Sequence, residues 1–381
     1  MKKALMMASV ASMIDLFNMD NIKILRDMGF EVHVACNFEY GSITSQERVD
    51  KFRTDLENNG IKTFHIPVPR SMSAIKNIVR SYNYMKKLCA EHNYQIVHCH
   101  SPIGGVIARM ACRNLRKYGT NVIYTAHGFH FFKGAPLKNW LMYYPVERYL
   151  SKFTDILITI NKEDFRRAYG SFNSKSIQYV PGIGLDTKKI ELKSVNRVEK
   201  RNELGINNNG LILLSVGEIN KNKNHETVVR ALSKINNSNI YYVICGKGPL
   251  DNHLRKIIKE LGMEKQIMLL GYRTDIVEIA KVSDIFVFPS FREGLSVALM
   301  EAMACGLPIV CSNIRGNNDL VKDRRGGYLV TPSNTDMFAS AISKLISDKR
   351  LCIEMGEYNK EKIVNCDIRL INEKIKKIYN N

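Results

Sequence analysis

Short runs rich in Val, Ile and Leu recur along the whole chain, each followed by a longer stretch with helical periodicity. These runs predict strands at 4–8, 32–36, 62–66, 96–98, 122–125, 156–160 and 178–180, then at 211–216, 241–245, 267–270, 285–288, 309–311 and 328–330. They are apolar at successive positions rather than at alternate ones, so both faces of each strand must be covered. Strands buried on both faces and separated by helices belong to parallel sheets with helices on either side. The chain therefore has to fold as an α/β protein.

One interruption divides the series. Residues 184–209, with the stretch ELKSVNRVEKRNELGINNNG, are polar and nearly free of strand pattern, which reads as a linker plus a surface helix. Two similar α/β series result. The expected organisation is two tandem Rossmann-like, doubly wound domains, 1–190 and 191–366, with a cleft between them faced by the strand carboxyl ends, where such sheets bind ligands. A basic amphipathic helix at 367–381 is expected to pack back on the first domain. The opening MKKALMMASVASMIDLF reads as a buried strand and a helix, because its apolar stretch is short and Asp15 and Asp20 follow in an amphipathic pattern. No stretch reaches the ~18 apolar residues that a membrane span needs.

Composition is close to the globular average, which argues against disorder, collagen-like repeats and coiled coil. Nine cysteines without a CxxC pair read as reduced, mostly buried thiols, and so as a cytoplasmic protein. Charge is the outlier: 56 Lys and Arg against 37 Asp and Glu, a net +19. An excess of this size calls for an anionic partner, whether nucleic acid, a membrane surface or a phosphorylated small molecule. It is uneven, with 27 basic against 15 acidic residues in 1–190 and 29 against 22 in the remainder. Arg109, Arg113, Arg116 and Lys117 fall on one helical face, and Arg70, Lys76, Arg80, Lys86 and Lys87 decorate another helix. Residues 133–153 mix Trp140, Tyr143 and Tyr144 with basic residues. Such helices suit docking on the anionic inner face of the cell membrane; the alternative is solvated lysines over core aromatics. No RNP, helix-turn-helix or zinc-finger pattern supports a nucleic-acid partner.

The densest chemical signal is FVFPSFREGLSVALMEAMACGLP, residues 286–308. A buried strand ends at Pro289, a loop carries Arg292, Glu293 and Gly294, and a helix begins near Leu295 or Ser296 and ends before Gly306. The amides at Gly294, Leu295 and Ser296 form a place for a phosphate. A carboxylate beside a phosphate is better suited to accepting hydrogen bonds from sugar or ribose hydroxyls. Taken singly, Glu293 reads as a helix-start charge and Glu301 as a solvated helix residue. A second segment, SVGEINKNKNHETVVRAL, places Gly217 at a strand end and Glu218, Lys221 and Lys223 in the following loop, where lysines would neutralise a departing diphosphate. A third, NVIYTAHGFHFF, brings His127, Gly128 and His130 to a strand end. Such histidines are structural or functional. His98 and His100 end the preceding strand, but no carboxylate accompanies them at ligand spacing, so no metal site is expected. CGKGPL, with Gly246, and GYRTDI, with Arg273, end two further strands. Neither fits GxGxxG with a distal acid, and no P-loop occurs in strand-to-helix context, which disfavours a dehydrogenase and an ATPase.

The segment 286–308 resembles the donor-binding signature of retaining GT-B glycosyltransferases, family 4, in which a glutamate, seven residues and a second glutamate recur. The tandem α/β organisation is the fold this family implies, and the resemblance covers most of the chain. It implies that Glu293 contacts donor-sugar hydroxyls, that Glu301 binds the nucleotide ribose, and that Gly294, Leu295 and Ser296 hold the diphosphate. It aligns Lys223 with the family's lysine, places Glu218 where an arginine is usual, and leaves Lys221 as a possible replacement. It matches His127 to the first-domain histidine near the donor sugar, with His130 a weaker candidate. It sets Gly217 and Gly246 along the nucleotide pocket and the backbone near Arg273 by the base. The implied activity is transfer of a hexose or N-acetylhexosamine from a nucleotide sugar, of UDP type, to a lipid-linked saccharide in bacterial surface polysaccharide synthesis, without a metal cofactor. A UDP-sugar epimerase of the same architecture is the alternative.

Overall fold

The computed structural model describes residues 2–380; positions 1 and 381, the outermost of the expected ranges, lie outside them. Strands form at β1 Lys3–Val10, β2 Glu31–Asn37, β3 Lys62–His65, β4 Ile96–His100, β5 Asn121–Ala126, β6 Ile156–Thr159 and β7 Ser176–Tyr179. A second series follows: β8 Leu211–Val216, β9 Ile240–Cys245, β10 Ile267–Gly271, β11 Ile285–Phe288, β12 Ile309–Ser312 and β13 Gly327–Val330. Every expected strand has a counterpart; the central ones are buried on both faces, while the edge strands β3 and β7, expected to be covered on both faces, are only partly covered because each has a single neighbouring strand.

Chain contacts divide the molecule into two units, one up to Ile183 and again from Arg369, the other Gly184–Ile368. The sequence put the boundary at 190/191. Unit 1 holds a seven-stranded parallel sheet in the order β3-β2-β1-β4-β5-β6-β7, and unit 2 a six-stranded one, β10-β9-β8-β11-β12-β13. Both are doubly wound, and the strand order reverses between β1 and β4 and between β8 and β11, the points where open α/β sheets bind ligands. Each sheet has a hydrophobic core on both faces.

The helix Ile368–Asn380 buries Ile371, Ile375, Ile378 and Tyr379, the i, i+4, i+7, i+8 stripe of an amphipathic helix, in the core of unit 1. The stretch read as linker and surface helix is different in structure. It forms helices Thr187–Leu192 and Arg197–Glu203 and belongs to unit 2, burying Leu185, Ile190, Leu204 and Ile206. Its Arg201 is 1% exposed. The guanidinium donates to the carbonyls of Gly210 and Val282 at 2.7 and 3.0 Å and pairs with Asp284 at 2.9 Å. A buried arginine satisfied by backbone carbonyls makes a polar sequence part of a core.

The expected basic face also breaks up. Arg109 is buried, pairs with Glu147 at 2.8 Å and lies 3.9 Å from the Tyr124 ring centre. Arg116 forms a two-pronged bond with Asp155. Arg113 and Lys117 remain exposed, as do Arg70, Lys76, Arg80, Lys86 and Lys87. Trp140, Tyr143 and Tyr144 pack against the core around Phe131, so they are not interfacial anchors. On that helix, Leu137–Ser151, the outward large apolar residues are Leu137, Leu141, Met142 and Tyr149. The nine cysteines are free thiols, buried or half-buried. Among the described residues no helix is long and apolar enough to cross a membrane.

Candidate active site

In unit 2, the loops after β8 and β11 flank the reversal of strand order. They bring Lys223 and Glu293 together, Nζ to Oε1 at 2.7 Å, with side chains 19% and 13% exposed. The lysine stem crosses Gly217: a Cβ there would lie 2.9 Å from Lys223 Cε. Gly217 therefore makes room for the lysine. Lys223 Nζ also stands 4.6 Å from the Phe288 ring centre, a cation–π contact from the end of β11.

Three asparagines that sequence reasoning passed over fix this loop. Asn220 Oδ1 accepts from the Lys223 amide at 3.0 Å. Asn222 accepts from the Phe291 amide at 2.8 Å through its carbonyl and donates to the Arg292 carbonyl at 2.9 Å through Nδ2. Asn224, at φ 54°, donates to the carbonyls of Pro289 and Pro332 at 3.1 and 2.8 Å. In NKNKN the asparagines hold the loop, while Lys223 turns inward to Glu293 and Lys221 faces outward. Lys221 is exposed and is not brought to Glu293. Glu218 is exposed too and accepts from Asn220 Nδ2 at 2.8 Å.

The helix after β11 runs Val297–Ala304, and Ser296 is its cap, accepting from the Leu299 amide at 3.3 Å. The Ser296 hydroxyl is thus occupied by its own helix. The amides of Gly294, Leu295 and Ser296 donate to no protein acceptor among the described residues. Three free amides at a helix start are of the kind that accommodates an anion. The loop is braced from behind: Arg315 Nε donates to the Glu293 carbonyl at 3.3 Å, and a Cβ on Gly316 would lie 2.3 Å from the Gly294 carbonyl oxygen.

Glu301 is half-buried, its carboxylate has no hydrogen-bond partner among the described residues, and burial raises its pKa. It lines a groove of about 350 Å³ with Thr274, Asp275 and Lys189. Arg273 lies nearby in the network, its guanidinium pairing with Asp275 and Glu203, each at 2.6 Å. The Arg273 side chain is committed to these carboxylates. Gly246 serves packing: a Cβ would fall 1.9 Å from the Gly217 carbonyl oxygen, so only glycine allows the two strand ends to approach this closely.

Unit 1 carries the histidines. His127 Nε2 lies 3.1 Å from His100 Nδ1, and His100 Nε2 lies 3.2 Å from Met6 Sδ. His98 bonds Tyr379 Oη and Thr125 Oγ1 at 2.7 and 2.8 Å. Burial lowers the pKa of His127 to about 4 and of His98 to about 3, and holds His100 well below its ordinary value. All three rings are neutral at pH 7. His127 and His100 line a narrow pocket with Asn18, Asn21 and Asn372. His130 does not join them; its ring stacks on Tyr143 with centres 4.6 Å apart, and its carbonyl accepts from Asn139. Among the described residues no group of three or more His, Cys, Asp or Glu is placed to hold a metal ion.

Residues 196–362 match the family model "Glycosyl transferases group 1", and residues 6–161 match "Glycosyl transferase 4-like". The chain is 35% identical to the putative glycosyltransferase EpsD of Bacillus subtilis, over 93% of this chain and 90% of that one. This chain belongs to the glycosyl transferases group 1 family. The enzyme is also 31% identical to the Escherichia coli UDP-Gal:alpha-D-GlcNAc-diphosphoundecaprenol alpha-1,3-galactosyltransferase, over 95% and 92% of the two chains. Its fold matches Anabaena HepE, solved in complex with UDP-glucose, with a TM-score of 0.78 at 17% identity over 99% of each chain. The architecture is GT-B, and the enzyme is a glycosyltransferase. The epimerase alternative gains no support from these relatives.

Proposed function

We propose that the enzyme transfers a hexose or N-acetylhexosamine, with retention, from a UDP-sugar to a lipid-linked saccharide in the assembly of a bacterial surface polysaccharide. The observation that carries this reading is the Lys223–Glu293 pair beside the three free amides of residues 294–296. As the bond between the anomeric carbon and the diphosphate oxygen breaks, its electron pair goes to the diphosphate. Lys223 and the amides stabilise that charge in place, without reorganisation. Glu293 then accepts from a sugar hydroxyl, and Glu301 from the ribose. The acceptor oxygen attacks from the face the diphosphate leaves, and its proton passes to a leaving phosphoryl oxygen. No protein nucleophile and no metal enter these steps, so transfer should proceed at full rate in excess chelator. Two relatives named for acting on diphosphoundecaprenol-linked saccharides support the acceptor class.

The membrane reading rests on the exposed Leu137, Leu141 and Met142 beside Lys133 and Lys138. Apolar side chains flanked by lysines suit the boundary of an anionic bilayer, where such an acceptor resides. Vesicles rich in anionic lipid should sediment the enzyme, and Leu141→Glu should weaken that. The function is tested by incubating the enzyme with UDP-sugars and diphosphoundecaprenol-linked saccharides. Wild-type transfer by Glu293→Ala, or no transfer from any donor, would overturn it.

A further inference from the structure

We infer that Met6 and His100 position His127 by fixing its tautomer, with the proton on Nε2 and the lone pair on Nδ1. The inference deepens the role given to His127 and rests on that reading.

The argument starts at the sulfur. A thioether has no proton to give and can only accept. The 3.2 Å contact between His100 Nε2 and Met6 Sδ is bonding only if Nε2 carries the hydrogen. A neutral imidazole has one N–H, so His100 Nδ1 is then an acceptor. His127 Nε2 stands 3.1 Å from that lone pair and must be the donor. His127, also neutral, keeps its own lone pair on Nδ1. The order would invert only if His100 were cationic. That ring is buried, its immediate neighbour is the His98 ring at 4.2 Å, and among the described residues no carboxylate is paired with it. An unpaired charge there is strongly disfavoured.

The relay runs sideways across the sheet. Met6 lies on β1, His100 ends β4, and His127 follows β5, and these strands are hydrogen-bonded neighbours. A sheet of this kind holds lateral neighbours rigidly, so the tautomer is set before any sugar arrives. His127 thereby offers an acceptor: a sugar hydroxyl or acetamido N–H must donate to it. Met6 and His100 touch no ligand in this scheme and are positioning residues.

The test is nuclear magnetic resonance of the full chain labelled with 15N-histidine, with the His127 signals assigned by their loss in His127→Gln. Two-bond proton–nitrogen correlations distinguish a pyrrole-type from a pyridine-type nitrogen. The expected result is pyrrole-type Nε2 and pyridine-type Nδ1 on His127. Met6→Leu conserves core volume and should move His127 toward a mixture of tautomers, lowering transfer several-fold. His100→Gln keeps an acceptor and should retain more activity than His100→Leu at equal folded fraction. A proton on His127 Nδ1 in the wild type, or a tautomer unmoved by Met6→Leu, overturns the relay. Full transfer by His127→Gln would overturn the catalytic reading of His127 instead, and the spectra decide the relay independently of it.

Discussion

The two units share a strand order, and each carries its candidate residues at the carboxyl edge near the reversal of that order, yet they arm the edge in opposite ways. Unit 2 presents charge: a half-buried lysine and glutamate in contact, with free amides beside them. Unit 1 presents neutral rings whose charged forms burial suppresses. The fold supplies the place, and the loops supply the chemistry. Charge suits the end where a diphosphate departs. Neutral acceptors suit an end that orients a sugar without attracting phosphate.

Rates of transfer give the largest test of this contrast. Lys223→Ala should lower kcat about 10²–10³-fold, the usual loss for one preorganised donor to a developing anion. His127→Gln exchanges one neutral polar group for another and should cost only about tenfold. Equal losses would mean that charge is not what separates the two edges.

Acid should separate the units next. Unit 1 holds four histidines with lowered pKa, the buried His33, His98 and His100 and the half-buried His127, against His225 in unit 2. The native rings stay neutral while the unfolded chain takes up protons near pH 6.5. Their contribution to stability is therefore present above that pH and is lost as pH falls toward the native values, about 4 for His127 and about 3 for His98. The loss amounts to at most about 1.4 kcal/mol per pH unit for each histidine. The single tryptophan, Trp140, lies in unit 1. Between pH 7 and pH 5 the urea midpoint read by its fluorescence should fall further than the midpoint read by circular dichroism from both units. Equal shifts would break the comparison.

Glu301 sharpens the picture of unit 2 at smaller scale. Burial raises its pKa, so its favourable contribution is full at low pH and is lost as pH rises through the native value. On the proposed role, in which Glu301 accepts from the donor's ribose, burying this carboxylate is a cost kept for the ligand. Glu301→Gln should raise KM for the nucleotide donor about tenfold and, in the free enzyme, raise Tm by about 1–3 °C. A lowered Tm would show the carboxylate to be structural.

The strands and the division into two series were legible because a strand apolar on both faces has one solution. The Glu293 and Lys223 loops stood out by strand-end position and residue type, but the roles expected of those two residues came only from the family resemblance. Three features were not. Arg201 and Arg109 look solvated in sequence and are buried, because their partners, Asp284 and Glu147, lie 83 and 38 residues away. The asparagines of NKNKN resemble any polar loop until their acceptors on the neighbouring loop are known. Met6 is an ordinary core residue in sequence, and only strand order sets its sulfur against His100. The alternation of asparagine and lysine was the one local signal available.

The helix that places Tyr379 on His98 also sets an order of assembly. Unit 2 is one continuous segment, whereas unit 1 needs residues from 369 onward to complete its core. During synthesis, at roughly 5–20 residues per second, about 10–40 s pass between the last strand of unit 1 and the arrival of that helix. For that interval the first half of the nascent chain carries an unfilled apolar groove behind its histidines, and unit 2, whose last residue is 368, is completed just before that helix. The segment made first is the one finished last.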